Sequence, residues 1–278
     1  MYERNTNRRL YYEEQKYTTR KFVIPYISEV RHIPPGSAVL EIGCGEGGNL
    51  APFVEMGCNV VGIDYNEAKI QKAKEFLKND MLAEKVQLIS SDIYKIEADT
   101  LPKFDLIIVR DVIEHIQNQE KFLFFVQQFL QINGSLFVAF PPWRMPFGGH
   151  QQICKSFFWS KTPYFHLLPK CMVKAIFQWS GESQYQIDEM LTLRKTKISV
   201  SRYRKLLKSA GYKIERETCY FINPNYEVKF NMKPRVLPKF LHIPFLQDFY
   251  TTAHYSVISM CGNDDFKTNF RFDTQQRR

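Results

Sequence analysis

The sequence predicts an α/β fold in which a mostly parallel sheet is doubly wound with helices on both faces. Three observations predict it. Apolar runs and helical stretches alternate strictly between about residues 38 and 140. The runs are apolar throughout rather than alternating, as strands buried on both faces are. The first run ends in a glycine cluster and the second in an acid, at the strand ends where parallel sheets place their ligand crevice.

Residues 1–35 are polar with helical character and end at Pro34-Pro35, which marks them as an N-terminal helical segment. Ala38–Ile42 reads as the first strand, running into Gly43-Cys44-Gly45-Glu46-Gly47-Gly48 and a helix over Asn49–Met56. Asn59–Ile63 is the second strand, stopped by Asp64. Residues 67–79 place Ala68, Ile70, Ala73, Phe76 and Leu77 at helical spacing. Val86–Ser90 is a third strand, closed by Asp92, and Phe104–Val109 a fourth. A helix over Gln119–Leu130 and an Asn133-Gly134 turn lead to a fifth strand, Ser135–Phe140. Residues 36–140 thus form a core unit. The rhythm then breaks. Residues 141–197 carry prolines, Gly148-Gly149 and many aromatics, and read as a partly helical insertion that serves as a lid. Within 198–262, Ser201–Ala210 is a helix ended by Gly211, and Tyr212–Phe221 a sixth strand. A second insertion spans about 223–250, Ala253–Met260 is the closing strand of seven, and 263–278 is a polar tail.

Composition narrows the function. With 44% hydrophobic and 24% charged residues in 278, the chain can bury a sizeable core. The net charge of +9 first suggests nucleic acid, but the basic residues are scattered and no long basic run occurs. A solvated basic surface accounts for most of it, and attraction to anionic substrates or a peripheral membrane contact for the rest. The six cysteines include no C-x-x-C pair, which argues against a zinc site. The N-terminus has no apolar signal core and no stretch is apolar enough to span a membrane, so the chain reads as a soluble protein of a reducing cytoplasm.

Gly43, Gly45 and Gly48 form a G-x-G-x-x-G between strand and helix, and Asp64 lies 21 residues after Gly43 at the end of the next strand. Glycines let the backbone turn sharply and a ligand approach closely, and an acid there accepts from ribose hydroxyls. The pattern points to an adenosine-containing cofactor, and a nicotinamide dinucleotide fits this much as well.

The run Val39-Leu40-Glu41-Ile42-Gly43-Cys44-Gly45-Glu46-Gly47 resembles the first motif of class I S-adenosylmethionine-dependent methyltransferases. Val61-Gly62-Ile63-Asp64, Ser91-Asp92-Ile93, Phe104–Ile108 and Ile113-Glu114-His115-Ile116 resemble the later motifs of that family, in order. The resemblance covers about residues 38–140 well and 198–260 loosely, and lies toward the small-molecule, ubiquinone-pathway-like branch. It implies a Rossmann-like fold and S-adenosylmethionine as cofactor. Glu41, Gly43, Cys44 and Gly45 would hold its methionine part and Asp64 the ribose. Tyr65 would lie against the adenine, Asp92 would accept from the adenine amino group and Ile93 would cover the ring. Arg110 and Asp111 would sit near the sulfonium.

Methyl transfer needs alignment and exclusion of water, and a hydroxyl acceptor also needs a base. His150, in a glycine-bearing loop after the fifth strand, is the favoured base, with His115 after the fourth strand as second candidate. His166 reads as pocket lining or core. Asp111, Glu114 and His115 (D-x-x-E-H) resemble the E-x-x-E-H of ubiquinone-pathway O-methyltransferases, associated there with a divalent metal. Asp replaces the first Glu here, and no metal is expected. The insertion aromatics, Trp143, Met145, Phe147, Phe157, Phe158, Trp159, Tyr164 and Phe165, either wall an acceptor pocket or form a small core of their own.

The expected activity is O-methylation of a small or medium-sized hydroxyl acceptor. N-methylation of a small amine, RNA methylation and a non-catalytic cofactor-binding role stand as alternatives. The position after the fourth strand reads Arg110-Asp111-Val112-Ile113, not the Asn-Pro-Pro-Tyr type of DNA amino-methylating enzymes. A dinucleotide oxidoreductase is weakened by the lack of a suitably placed Tyr-x-x-x-Lys. The residues do not specify the acceptor or an oligomeric state.

Overall fold

The computed structural model describes residues 7–82, 85–148 and 156–261; the polar tail expected over 263–278 and His150 lie outside them. Eight strands form one sheet: β1 (Ala38–Ile42), β2 (Asn59–Asp64), β3 (Val86–Ser90), β4 (Phe104–Arg110), β5 (Leu130–Phe140), β6 (Tyr212–Ile222), β7 (Arg235–Val236) and β8 (Ala253–Met260). Their order is β3-β2-β1-β4-β5-β8-β6-β7. The first five pair in parallel, and β8, β6 and β7 continue antiparallel.

Helices cover both faces. The N-terminal segment is α1 (Arg8–Thr18), a π-helical turn over Thr19–Val23 and α2 (Ile24–Ser28). Then come α3 (Ala51–Glu55), α4 (Glu67–Asn79) and α5 (Gln119–Val126). The first insertion holds α6 (Phe157–Lys161), α7 (Lys170–Trp179) and α8 (Gln184–Thr196), followed by α9 (Val200–Ser209). Ser199 caps α9 by accepting from the Arg202 N–H, and Gly211 follows it at φ +74°, as expected of a left-handed stop. Successive strand residues point to opposite faces. Val39, Val60, Leu106, Ile108 and Phe137 pack with Ile27, Phe53 and Ile70 on one face. Leu40, Val61, Ile107, Val109 and Leu136 pack with Phe122, Val126, Tyr203 and Leu207 on the other.

Two expectations are corrected. Among the described residues the sheet has eight strands, not seven, because Arg235–Val236 pair with Ile222 and Tyr220 at its edge. A two-residue strand in a Pro-rich stretch carries no apolar period to read. The fifth strand starts at Leu130, so the helix before it ends earlier than expected. Leu130 pairs with Phe104 and Ser135 with Leu106, so residues 131–134 form an excursion inside the strand rather than a turn before it. At its end a side chain on Gly134 would meet the Phe104 carbonyl oxygen at 2.7 Å, which explains the glycine.

The first insertion has a core of its own, with Phe165, Val173, Phe177, Ile187 and Met190 buried together. Phe157 and Phe158 are exposed, while Trp143 and Met145 are buried. Among the described residues no helix is long and apolar enough to cross a membrane.

Candidate active site

The carboxyl ends of β1, β2 and β4 carry the site. The loop after β1 turns on three glycines in left-handed backbone, Gly43 (φ +75°), Gly45 (φ +56°) and Gly47 (φ +81°). A side chain on Gly43 would strike Val112 at 2.4 Å, so that position is closed by the loop after β4. One on Gly45 would meet nothing within 4 Å: this glycine faces open space. Gly48 has a different task. A side chain there would fall 2.5 Å from the Tyr12 carbonyl oxygen, because α1 lies directly on the loop.

Asp64 clasps this loop. One carboxylate oxygen accepts from the Gly45 N–H at 2.9 Å and the other from the Asn66 N–H at 2.8 Å. Each oxygen keeps a second lone pair for a ligand. Cys44 is buried among apolar side chains, and burial pushes its thiol well above the usual range. It therefore serves the loop through its backbone, whose N–H donates to the Ile63 carbonyl.

Glu41 is fully buried. Its Oε1 accepts from Asn49 Nδ2 at 2.7 Å, and Oε2 accepts no hydrogen bond among the described residues. Burial pushes its pKa up to about 8, against the lowering pull of Asn49 and the Arg110 charge. Arg110 reaches the site, but its guanidinium is buried and turned onto Asn49 Oδ1 (2.9 Å) and Thr19 Oγ1 (3.2 Å). It braces Asn49 against the N-terminal segment. Asp111 follows in left-handed backbone at φ +55°, with its N–H donated to the Ala139 carbonyl and its carboxylate exposed.

Asp92 accepts from the Tyr94 N–H at 3.0 Å and caps the short turn over Ile93–Lys95. Its side chain is exposed, so the cap leaves an oxygen for a ligand. Ile93 is buried under that turn, and Tyr65 is 80% exposed beside Asp64. Glu114 is buried, and neither of its oxygens accepts a hydrogen bond among the described residues. Burial first, then the Asp111 charge, pushes its carboxyl well above the usual carboxylate range. His115 is more exposed, with Nε2 3.9 Å from Glu114 Oε1. Among the described residues no three His, Cys, Asp or Glu side chains converge as metal ligands would, Asp111, Glu114 and His115 included. His166 is buried, and its Nε2 donates to the Trp143 carbonyl at 2.7 Å.

Sequence reasoning expected an N-terminal helical segment but missed its place over the site, and missed Asn49. Asn49 joins Glu41, Arg110 and Thr19, whose hydroxyl donates to its Oδ1 at 2.9 Å. Tyr11 packs over the same mouth, where burial and the Asp111 charge push its phenol up to about 12. Arg8 pairs with Glu46 of the glycine loop through two hydrogen bonds. The signal was faint: Tyr11-Tyr12 and Thr18-Thr19 lie two helical turns apart in an otherwise polar segment.

The site fits S-adenosylmethionine on its own features. Gly45 leaves a cradle that a side chain would fill, Glu41 keeps a buried oxygen unmatched, and Asp64 presents two further lone pairs. Comparison with known proteins agrees. A model of the methyltransferase-domain family matches residues 33–211. The mitochondrial ubiquinone biosynthesis O-methyltransferase of Bos taurus is 31% identical over 105 residues, 37% of this chain and 28% of that protein. The ubiquinone biosynthesis O-methyltransferase of Rickettsia typhi is 32% identical over 102 residues, 36% of this chain and 39% of that protein. The chain thus matches well under half the length of either relative. An S-adenosylmethionine-dependent methyltransferase from Clostridium acetobutylicum shares the fold, with a TM-score of 0.55 at 12% identity over 90% of this chain and 92% of that one. Its glycine loop, its strand-end acids and the family match over most of its length make this chain a member of the methyltransferase-domain family, of the class I kind that uses S-adenosylmethionine.

Proposed function

We propose that the chain methylates a hydroxyl group of a small or medium-sized acceptor, with Glu41, the glycine loop, Asp64, Tyr65, Asp92 and Ile93 holding the cofactor. One observation carries the placement: the unmatched Glu41 oxygen and the open face of Gly45 lie at one strand end, while Glu114 and His115 lie at the next. Asp111 is within electrostatic reach of both carboxyls. The O-methyltransferase names of the matched relatives support a hydroxyl acceptor over an amine.

S-adenosylmethionine, when bound, supplies a methyl carbon already activated by positive sulfur. Alignment and proton removal fall to the protein. Glu41 offers its free oxygen to an ammonium group, and Asp64 offers lone pairs to the ribose hydroxyls. His115, with its Nε2 3.9 Å from Glu114 Oε1, takes the acceptor's hydroxyl proton. His115→Gln is expected to lower kcat by about 10²–10⁴-fold, the usual worth of a positioned base, with cofactor affinity intact. Unchanged kcat would transfer the role to His150.

The pH dependence follows from Glu41. Its folded pKa of about 8 lies above the value of ~4.3 for an unperturbed Glu. Its contribution to stability is therefore complete below ~4.3 and is lost as pH rises through about 8. An ammonium ligand needs the carboxylate, so binding near pH 7 releases a proton. Calorimetric titration with S-adenosylhomocysteine in buffers of different ionisation heat should show that release in the wild type and lose it in Glu41→Gln. Equal proton release by both would remove Glu41 from the ligand set. Failure of the wild type to bind S-adenosylmethionine or S-adenosylhomocysteine at all would overturn the proposal.

A further inference from the structure

A second site lies beyond the cofactor cradle. Trp143, Arg144, His166, Leu167, Arg194 and Lys197 line a cleft of about 200 Å³. It is assembled from the exit of β5, the turn over Phe165–Leu167 and the end of α8. One hydrogen bond joins its walls and a second ties it to the transfer site. The Trp143 N–H donates to the Ile198 carbonyl at 2.8 Å, which fixes the β5 exit to the chain after α8. Thr196 Oγ1 donates to the Glu114 carbonyl at 2.6 Å, so Lys197 is the direct neighbour of a residue touching the Glu114–His115 turn.

The cleft carries more positive charge than its acids offset. Arg144 pairs with one carboxylate, Asp248, at 3.2 Å and lies over the Phe245 ring at 4.2 Å. Arg194 donates to the neutral carbonyls of His166 (3.0 Å) and Leu168 (2.6 Å). These bonds orient the guanidinium without cancelling its charge. Lys197 has no ion-pair partner among the described residues, and its backbone is held at φ +42°. Three cations against one carboxylate leave two charges over, which a dianion matches. The volume is below the ~300–1,000 Å³ that encloses a whole drug-sized ligand, so it suits one ionic group of a larger molecule. Guanidinium forks favour oxyanions of tetrahedral or planar geometry.

We propose that this cleft binds a phosphate-ester group carried by the methyl acceptor and so orients the acceptor's hydroxyl toward His115. The proposal rests on the methyl-transfer reading above and names the substrate class it leaves open.

The test uses the full chain saturated with S-adenosylhomocysteine, whose own affinity is measured in the same samples. Phenyl phosphate, neutral benzamide and inorganic phosphate are titrated by calorimetry at low and high salt. Phenyl phosphate should bind at least about tenfold tighter than benzamide, as one charge-assisted hydrogen bond provides. That preference should shrink with salt. Arg144→Gln/Lys197→Gln should erase it while leaving S-adenosylhomocysteine affinity unchanged. Lys197→Gln alone, on an exposed and unpaired side chain, should weaken phenyl phosphate binding should the double variant fail to fold. Equal binding of phenyl phosphate and benzamide, indifference to Lys197→Gln, or inorganic phosphate binding as tightly as the ester would each overturn the proposal. The last would mark a free-anion site. If the wild type binds phenyl phosphate but not S-adenosylhomocysteine, the cofactor reading falls, and the acceptor half of this proposal with it.

Discussion

Asp64→Ala is expected to abolish measurable S-adenosylmethionine binding. The carboxylate does two things at once. It holds the glycine loop through the Gly45 N–H and the chain after β2 through the Asn66 N–H. It also offers the remaining lone pairs that ribose hydroxyls would use. Hydrogen bonds to a charged group are worth about 1.5–3 kcal/mol each, so losing two ribose contacts alone costs about 10²–10⁴-fold in affinity. Asp64→Asn separates the two roles. The amide retains one acceptor oxygen but has no negative charge, so part of the loop's order should survive while affinity still falls by about tenfold or more. Calorimetry gives the affinity, and amide hydrogen exchange over residues 43–50 reports the loop. Wild-type affinity in Asp64→Ala would show that the ligand lies elsewhere.

The second large effect is on stability. Asn49→Leu removes the donor to Glu41 and the acceptor shared by Arg110 and Thr19. All of these groups are buried. Breaking one partner of a buried charged network costs about 3–5 kcal/mol because it strands the charge that is left. For a chain of this size that is a fall in Tm of about 10 °C. Cofactor affinity should fall as well, since Glu41 loses the contact that orients it. Asn49→Asp is expected to be no rescue, because it sets a second carboxylate beside Glu41. A thermal melt within a degree or two of wild type would show that Arg110 finds another acceptor.

Strands β1, β2 and β4 were legible because they are buried in the middle of the sheet and are therefore mostly apolar, and the edge strand β3 was legible from its Val86, Leu88 and Ile89. The chemistry was legible at their ends, where Gly43, Asp64 and Asp92 break the apolar runs. Local geometry governs these positions, Gly43 turning in left-handed backbone and Asp64 and Asp92 accepting from loop N–H groups, so type and spacing alone expose them. Asn49 was not legible for the opposite reason. A polar residue after a glycine loop reads as a helix start, and only the folded chain brings it between Glu41 and Arg110. Arg110 reads as a cation at a strand mouth, yet Thr19 and Asn49 draw it inward. The N-terminal helix was legible but its seat on the glycine loop was not, because its charged residues find partners far along the chain. Arg9, Lys16 and Tyr12 all meet Asp80. The sheet order beyond β5 depends on the path of two long insertions, which residue patterns do not encode.

That order bears on how the chain reaches its native state during synthesis. β6 reaches the five parallel strands only through β8, which lies between it and β5. The five parallel strands and the cofactor loop can therefore assemble while the ribosome is still extending the chain. β6 must wait, its edge bare, until residues 253–260 emerge and slot between it and β5. A nascent chain whose residues up to 140 have cleared the exit tunnel should already protect amides in β1 and β4. Protection of β6 should appear only once β8 has cleared the exit tunnel, making β8 the keystone that joins β6 and β7 to the parallel strands.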